Sequence, residues 1–432
     1  MSIPLRPAPA GVLRAADAVD GRWRWYRLLS APHRLGFFAA AVLLATSALW
    51  WAGALFARQS GLAIPWALPP PAAHALLMSL GFMPLFMVGF LFTAGPRWLS
   101  LPDVPAPALR TPVALMVGGW ALAVPGFHAS SALAAAGVTS VALGWGSLVF
   151  RFVHLVRASH APDTLHGRLV ALAGGVGVLA LAMAAFGLAM GQVGLVRVAV
   201  QLALWGFLAP TFAVVSHRMI PFFTASAMPA LDAWRPNWLL WTMVGVLWSQ
   251  GGFAMAELLA WPLPAPVRWA QVAFEAPAAV LMLWLAWRWG LMQSLRIRLL
   301  AMLHAGFLWL GLSLALAAVS HAMLALSGDA QSLGLAPLHA LTMGYLGATM
   351  MAMITRVAAG HSGRALAADD LAWGLYWALQ AAVLLRVAAA LWPSVAPALT
   401  LLAVTAWSVA AVGWAWRYGR WLGRPRADGR PG

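Results

Sequence analysis

Long apolar runs separated by short polar stretches extend along nearly the whole chain. Most runs reach the roughly 20 residues that an α-helix needs to cross the hydrocarbon core of a bilayer. The pattern predicts an all-α integral membrane protein with about twelve transmembrane helices. The predicted segments cover residues 36–56, 74–95, 111–127, 131–153, 167–189, 194–216, 238–259, 266–287, 299–325, 337–358, 370–391 and 396–416.

The tenth segment differs from the others because a histidine lies near each end of it, His339 and His361. On a continuous helix these residues are about 33 Å apart, which is close to the thickness of the hydrocarbon core. Between them the chain is rich in methionine and small residues, which let another helix or a flat ligand come close. We expect the rest of the chain to be organised around this segment.

Composition agrees with a membrane protein. Of the 432 residues, 62% are hydrophobic and 9% are charged, whereas a soluble chain would carry about 25% charged residues. No polar stretch is long enough for a second, soluble domain. The predicted organisation is an Arg-rich cytoplasmic arm (1–35), a twelve-helix membrane domain (36–416) and an Arg-rich cytoplasmic tail (417–432).

The net charge of +16 comes from arginines in the loops and tails. This distribution is typical of the positive-inside rule, so the lipid bilayer is the expected partner and nucleic acid is not. With both termini on the cytoplasmic side, every arginine falls inside except Arg58, Arg197, Arg268 and Arg386. The even number of helices and the arginine asymmetry therefore predict the same topology.

Cysteine is absent, which excludes disulfides, thiolate metal sites and iron–sulfur clusters. Histidine and methionine are the remaining soft or borderline metal ligands. The first 35 residues are rich in Arg and Pro and lack an apolar signal core, so we expect no cleaved signal peptide.

Short motifs recur on predicted helices two, six and ten. Gly206-Phe-Leu-Ala-Pro-Thr211 leads to Arg218, and Gly344-Tyr-Leu-Gly-Ala-Thr349 leads to Arg356 at the same spacing. His74-Ala-Leu-Leu-Met78 is similar to His339-Ala-Leu-Thr-Met343. Three four-helix pseudo-repeats would give this arrangement, although chance similarity in such an apolar sequence is an equally open explanation.

The 11 histidines, equal in number to the carboxylates, are unusual in so apolar a chain. The predicted depths place one group near the outer face: His74, His128, His321 and His339. A second group is expected near the inner face: His217, His304 and His361. The others are interpreted as surface residues beside arginine-rich stretches: His33, His154, His160 and His166.

His74 and His339 form the favoured candidate site. Both lie about one turn into their helices at the same face, and each is followed four residues later by a methionine, Met78 or Met343. Two imidazoles on facing helices can hold one haem iron axially. Imidazole also suits copper, so the spacing does not separate haem b from copper.

Other polar groups suggest secondary sites. His217, His304 and His361 are candidates for a second metal site at the inner face, and His321 is a further candidate ligand. Glu257 and Glu275 are expected near the outer ends of helices seven and eight, with no carboxylate clearly at mid-membrane. Arg386 is an intramembrane charge that could neutralise a carboxylate or a haem propionate, or could simply reach the interface. Prolines inside three predicted helices favour broken helices of the kind found in transporters: Pro84, Pro125 and Pro210.

Several motifs together resemble the NnrS family over roughly residues 30–420. They are Arg218-Met-Ile-Pro-Phe-Phe-Thr224, His339-Ala-Leu-Thr-Met-Gly344, Thr355-Arg356, Gly360-His-Ser-Gly-Arg364, Gly89-Phe-Leu-Phe-Thr-Ala-Gly-Pro-Arg-Trp98 and Leu303-His-Ala-Gly-Phe-Leu-Trp309. The resemblance implies a twelve-span protein of the bacterial inner membrane that binds haem and copper and acts in nitric-oxide metabolism and nitrosative stress.

One motif departs from the family. There the second span often reads His-x-His-Glu-Met, whereas Leu76 and Leu77 replace the second His and the Glu here. Copper is therefore less expected than haem. The arrangement is also similar to the core subunit of haem–copper oxidases and nitric oxide reductases, with haem-binding histidines on spans two and ten. The copper-binding histidines of span seven have no counterpart in residues 237–259.

The sequence thus predicts a haem-binding membrane protein of the nitric-oxide response, with nitric oxide or a related small molecule and a redox partner as expected partners. Whether it is an enzyme stays open. Two alternatives also stay open. A cofactor-free secondary transporter or channel predicts a colourless protein, and an assembly factor for a respiratory complex predicts co-purification with that complex.

Overall fold

The computed structural model describes residues 21–429, and this part of the chain contains helices and no β-strand. Most of the Arg-rich N-terminal arm lies outside the described residues. Twelve long helices are found in residues 21–429: α1 (Pro32–Gln59), α2 (Pro70–Trp98), α3 (Ala106–Ala129), α4 (Ser131–Ala158), α5 (Leu165–Ala189), α6 (Val193–Ala227), α7 (Asn237–Ala260), α8 (Ala265–Arg288), α9 (Arg298–Ser327), α10 (336–361), α11 (Asp370–Leu391) and α12 (Pro393–Leu422).

Among the described residues, eleven of these helices are long and apolar enough to cross a membrane, which is typical of a multi-pass membrane protein. Helix α10 is not one of the eleven. It carries polar residues along its length, including Thr342, Thr349, Thr355 and Arg356. All residues from 344 to 355 are buried by neighbouring helices. A helix that meets protein rather than lipid does not need a uniformly apolar surface.

Each predicted segment corresponds to one of these helices, with ends that differ by a few residues in most cases. The largest difference is in α6, which continues to Ala227 although the apolar run was expected to end at residue 216. His217 therefore lies inside the helix rather than at its end. The third segment, expected to be the shortest at residues 111–127, lengthens to Ala106–Ala129.

Short loops join consecutive helices, so neighbours along the chain run antiparallel. This arrangement defines two ends of the bundle. The loops at 99–105, 159–164, 228–236, 289–297 and 362–369 lie at the end that collects most arginines, here called the Arg-rich face. The loops at 60–69, 130, 190–192, 261–264 and 328–335 form the opposite end, the Arg-poor face.

The two ends of the chain pack together and close the bundle. Helix α1 lies against both α2 and α12. Buried Arg34 donates from Nη1 to the carbonyl oxygens of Leu422 and Arg424, at 3.0 and 2.7 Å. Glycines bring α1 and α2 into backbone contact, because a Cβ atom added to Gly36 would lie 2.5 Å from the backbone nitrogen of Gly89. Small residues permit such close helix pairs.

Three helices depart from regular α geometry in their interior. Helix α2 bends at Gly81, whose ψ is −91°, just before Pro84. Helix α6 contains a π-helical segment at Ala203–Leu208, and α10 contains one at Ala340–Gly347. The two π segments include the glycines of the predicted repeat, Gly206 and Gly344. A π segment inside an α-helix often marks a functional site.

Candidate functional site

His74 and His339 lie near each other at the Arg-poor face, as the spacing predicted. The two rings interact electrostatically, and both also interact with the Arg386 guanidinium from α11. The indole of Trp51 on α1 stacks on the His74 ring with centroids 4.1 Å apart and planes inclined by 23°. Four helices therefore contribute to one cluster, here called the His74–His339 cluster.

Hydrogen bonding leaves ring nitrogens free in this cluster. His339 Nδ1 lies 2.9 Å from the Leu335 carbonyl oxygen, which can only accept, so Nδ1 carries the proton and Nε2 keeps a lone pair. Nδ1 of His74 is buried and has no hydrogen-bond partner. A histidine whose one nitrogen donates to a backbone carbonyl is in the form that binds metal through the other.

An apolar crevice lies between the helices that carry this cluster. It contains about 320 Å³ of space not filled by protein atoms, a volume that includes the open space at its mouth. All of its lining side chains are apolar: Leu44, Phe86, Gly347, Met350, Met351, Ile354, Leu379, Trp407, Ala410, Ala411 and Trp414. They come from α1, α2, α10, α11 and α12, and none of them belongs to the His74–His339 cluster. Gly347, the lining residue nearest to His339 along α10, is eight residues or about 12 Å away.

The two candidate methionines lie on the inner side of the cluster. Met78 and Met343 follow His74 and His339 by one helical turn, and both are half-buried against the hydrophobic core. Met350 and Met351, one to two turns further along α10, line the crevice.

The three histidines predicted near the Arg-rich face have three different partners. His217 accepts at Nδ1 from Nε2 of His166, 3.0 Å away, and donates to the Pro236 carbonyl oxygen. His304 Nε2 lies 2.9 Å from the Thr224 hydroxyl. The His361 ring packs on His33 with centroids 4.4 Å apart. The structure therefore does not bring His217, His304 and His361 together as one site.

Two histidines interpreted as surface residues are buried. His33 and His166 are 5% and 2% exposed, and each packs against one of the candidate ligands just described. Both lie in the first turn of a helix, where hydropathy alone suggests an interfacial position. The assignment was wrong because the N-terminal turns of α1 and α5 are covered by other helices and loops.

His321 has both ring nitrogens bonded to carboxylates. Nδ1 lies 2.7 Å from Glu275 Oε2, and Nε2 lies 2.9 Å from Glu257 Oε1. No lone pair remains for a metal, so this candidate ligand has a different role. Glu275 is fully buried. It is half-way along α8 and not near its outer end, contrary to the expectation that no carboxylate lies at mid-membrane.

The position of Glu275 could have been found from the sequence. It is the tenth residue of the predicted segment 266–287, which corresponds to about 14 Å of helix. Its partners could not have been found in this way, because Gln250 and His321 come from two other helices.

No cluster of three or more His, Cys, Asp or Glu side chains within residues 21–429 has the arrangement of a metal site. The His74–His339 cluster remains as a pair of imidazoles with available nitrogens. A family model described as NnrS protein matches residues 27–426 of the chain. The chain belongs to the NnrS family. A comparison with curated proteins finds no match.

The match to the NnrS family model covers nearly the whole chain, including all twelve long helices of the described residues and the His74–His339 cluster. It supports a membrane protein of the nitric-oxide response. The NnrS match also includes the α7–α9 region, where Glu257, Glu275 and His321 meet.

Proposed function

We propose that this NnrS-family protein binds haem b in the bacterial inner membrane and acts in nitric-oxide metabolism or resistance to nitrosative stress. His74 and His339 are the proposed axial ligands. The proposal rests on one observation: two neighbouring imidazoles at the Arg-poor face have ring nitrogens that no protein group binds.

The residues present suit haem b. The buried Nδ1 of His74 has no protein partner, and the stacked indole of Trp51 provides an apolar aromatic surface beside it. Arg386, which interacts with both imidazoles, could neutralise a propionate. Bound haem would supply one-electron redox chemistry. If both histidines held the iron, the haem would supply electron transfer or sensing rather than direct reduction of nitric oxide.

Copper is a weaker proposal for this chain. The other candidate ligands do not come together at one site, and the described residues contain no group of three suitable side chains. Leu76 and Leu77 are fully buried apolar residues in the span-two motif, so they add no ligand. We assign no step of the function to copper.

The proposed topology has twelve spans with both termini in the cytoplasm. In it, α10 crosses the membrane inside a ring of other helices, and the Arg-rich face is the cytoplasmic face. The paired π segments in α6 and α10 support a pseudo-repeat between those helices. Three four-helix units resembling the haem–copper oxidase core remain part of the proposal.

The test is the visible absorption spectrum of the purified protein, oxidised and reduced, together with haem and metal analysis of the same sample. We expect a reduced spectrum typical of six-coordinate b-type haem at a stoichiometric level. His74→Ala and His339→Ala should each abolish that spectrum or convert it to a five-coordinate one, because each removes one axial ligand.

His128→Ala is the matched control. His128 lies at the same face, but its Nδ1 donates to the Pro65 carbonyl and its Nε2 accepts from Trp50. Neither ring nitrogen is therefore available to bind iron. Its variant should keep the wild-type spectrum. Unchanged haem content in both His74→Ala and His339→Ala would refute the ligand assignment.

A cofactor-free transporter is the second candidate, favoured by the bend of α2 at Gly81 and by the buried carboxylate of Glu275. It predicts a colourless, metal-free protein even after expression with haem and copper supplied. It also predicts solute flux in proteoliposomes. A stoichiometric b-type spectrum would exclude it.

A further inference from the structure

A chain of ionisable side chains connects the Arg-poor face with the middle of the bundle. It consists of Glu257 on α7, His321 on α9 and Glu275 on α8. The His321 ring bridges the two carboxylates, at 2.9 Å to Glu257 and 2.7 Å to Glu275. When both carboxyl groups are ionised, both ring nitrogens must carry a proton, because a carboxylate oxygen can only accept a hydrogen bond.

Exposure falls steadily along this chain. Glu257 is 29% exposed, His321 is 13% exposed, and Glu275 is 0% exposed. Glu275 is the eleventh of the 24 residues of α8, so it lies about 15 Å from the first residue of that helix. The three groups therefore form a continuous path from solvent to a carboxylate at mid-membrane depth.

The surrounding side chains hold the path in place. Gln250 of α7 donates to Glu275 Oε1 at 2.8 Å, and Gln271 of α8 donates to Glu257 Oε1 at 3.0 Å. Arg268 is fully buried, forms an ion pair with Glu257 and reaches Asp329 at 3.4 Å. Packed groups of this kind keep the hydrogen-bond distances of the path short.

The charges of the cluster do not balance. Three carboxylates, those of Glu257, Glu275 and Asp329, face one permanent cation, Arg268. The cluster thus has one excess negative charge even when His321 is protonated. Burial of uncompensated charge is costly, and uptake of one proton removes it.

We infer that Glu275 is a proton-binding site that is loaded from the Arg-poor face through Glu257 and His321. The proton on His321 Nδ1 passes to Glu275 Oε2, which leaves a neutral carboxylic acid and a neutral imidazole. Glu257 then takes up a proton from the solvent at the Arg-poor face and passes it to the vacant nitrogen after the imidazole ring rotates to face it, which restores the imidazolium. The first transfer follows the hydrogen bond seen in the structure, the second follows one formed by the rotated ring, and neither needs another reactant.

The site does not depend on haem. It lies on α7, α8 and α9, whereas the His74–His339 cluster and the crevice lie on α1, α2, α10, α11 and α12. His321 is unavailable as a metal ligand because both of its nitrogens are bonded to carboxylates. Failure of the haem proposal would therefore leave the proton site intact, and the reverse also holds.

The test is infrared difference spectroscopy of the purified full-length protein in hydrated lipid films. On acidification the wild type should develop a band of a buried protonated carboxyl group, which shifts in D₂O. Glu275→Gln should remove this band. Asp103→Asn, a change in an exposed residue of the Arg-rich face, should leave it unchanged.

The relay is tested by the rate of hydrogen–deuterium exchange at the same band. We expect His321→Gln to keep the band but to slow its exchange by about a hundredfold, the lower end of what a positioned proton-transfer group contributes. A structural His321 would alter stability without this kinetic effect. Gln250→Met should shift the frequency of the band, because it removes the hydrogen-bond donor to Glu275. This variant assigns the band to Glu275 if Glu275→Gln does not fold.

Two results would overturn the inference. One is a wild type without a titrating carboxyl band, or with a band that persists in Glu275→Gln and does not shift in Gln250→Met. The other is exchange in His321→Gln as fast as in the wild type, which would mean that protons reach Glu275 by another route.

Discussion

At the scale of single residues, the histidines of this protein differ by what bonds their ring nitrogens. His128 has both nitrogens satisfied by neutral partners, and His321 has both satisfied by carboxylates. His74 and His339 each keep a ring nitrogen that no protein group binds. The same side chain is thus a structural link, a proton carrier or a candidate haem ligand according to its partners.

Arginine shows the same dependence on partners. One of the four arginines that depart from the positive-inside pattern has a local reason to lie near the Arg-poor face. Arg268 forms ion pairs with Glu257 and Asp329. The structure offers no comparable explanation for Arg58, Arg197 and Arg386.

Thr224→Val should destabilise the protein by about 1–3 kcal/mol, because His304 Nε2 loses its hydrogen-bond partner while remaining buried. His304 Nδ1 is already without a partner. Thermal unfolding in detergent measures the effect. The control is Thr46→Val at an exposed position of α1, where the hydroxyl bonds only to carbonyls of its own helix. Equal stability of the two variants would contradict the expected role of the Thr224–His304 bond.

At the scale of elements, the helices that surround α10 explain why it contains so many polar residues. The helix carries more polar residues than its neighbours because other helices, not lipid, surround it. Its polar groups find partners on those helices: Tyr345 lies 3.1 Å from the Ser216 hydroxyl, and Thr355 accepts from Trp414 at 2.9 Å. These hydrogen bonds fix the rotation of α10 about its own axis. That rotation in turn determines the direction of the His339 side chain.

Gly36→Ala should destabilise the α1–α2 pair by about 1–3 kcal/mol. The added Cβ would lie only 2.5 Å from the backbone nitrogen of Gly89, and the two helices would have to move apart to relieve the clash. The matched control is Gly53→Ala on the same helix, where a Cβ meets no atom within 4 Å. That change should be neutral or slightly stabilising, since alanine favours helix more than glycine does. Melting temperatures of both variants give the comparison, and a Gly36→Ala variant as stable as Gly53→Ala would disprove the close packing.

At the scale of the whole molecule, the distribution of charge sets the proposed orientation in the membrane. Arginine-rich loops gather at one end of the bundle, and the apolar length of the helices separates them from the other end. The start of α1 and the end of α12 meet at the Arg-rich face, where Arg34 donates to the carbonyls of Leu422 and Arg424. The topology proposal follows from the positive-inside rule applied to this arrangement.

The absence of cysteine allows a direct test of that orientation. We expect Leu62→Cys, in the loop after α1, to react with a membrane-impermeant maleimide in spheroplasts. Met292→Cys, in the loop after α8, should react only after permeabilisation. Both parent residues are exposed, at 66% and 61%, so a difference in labelling reports the side of the membrane on which each residue lies. The reverse labelling pattern would invert the proposed topology.

The sequence by itself determined the class of the protein, the positions of its helices and the two faces of the bundle. These properties follow from local hydropathy and from charge in the loops, which need no knowledge of packing. It also selected His74 and His339, since both lie one turn from the same face. The match of depth and spacing was sufficient to predict that they are neighbours.

Only the tertiary structure decided which polar groups meet. It buried His33 and His166, gave His217, His304 and His361 separate partners, and joined Glu275 to His321 across helices. The reason is physical. Depth in the membrane depends on position along one helix, whereas contact depends on how each helix is rotated and which helices stand beside it. That information is distributed over the packing of all the helices.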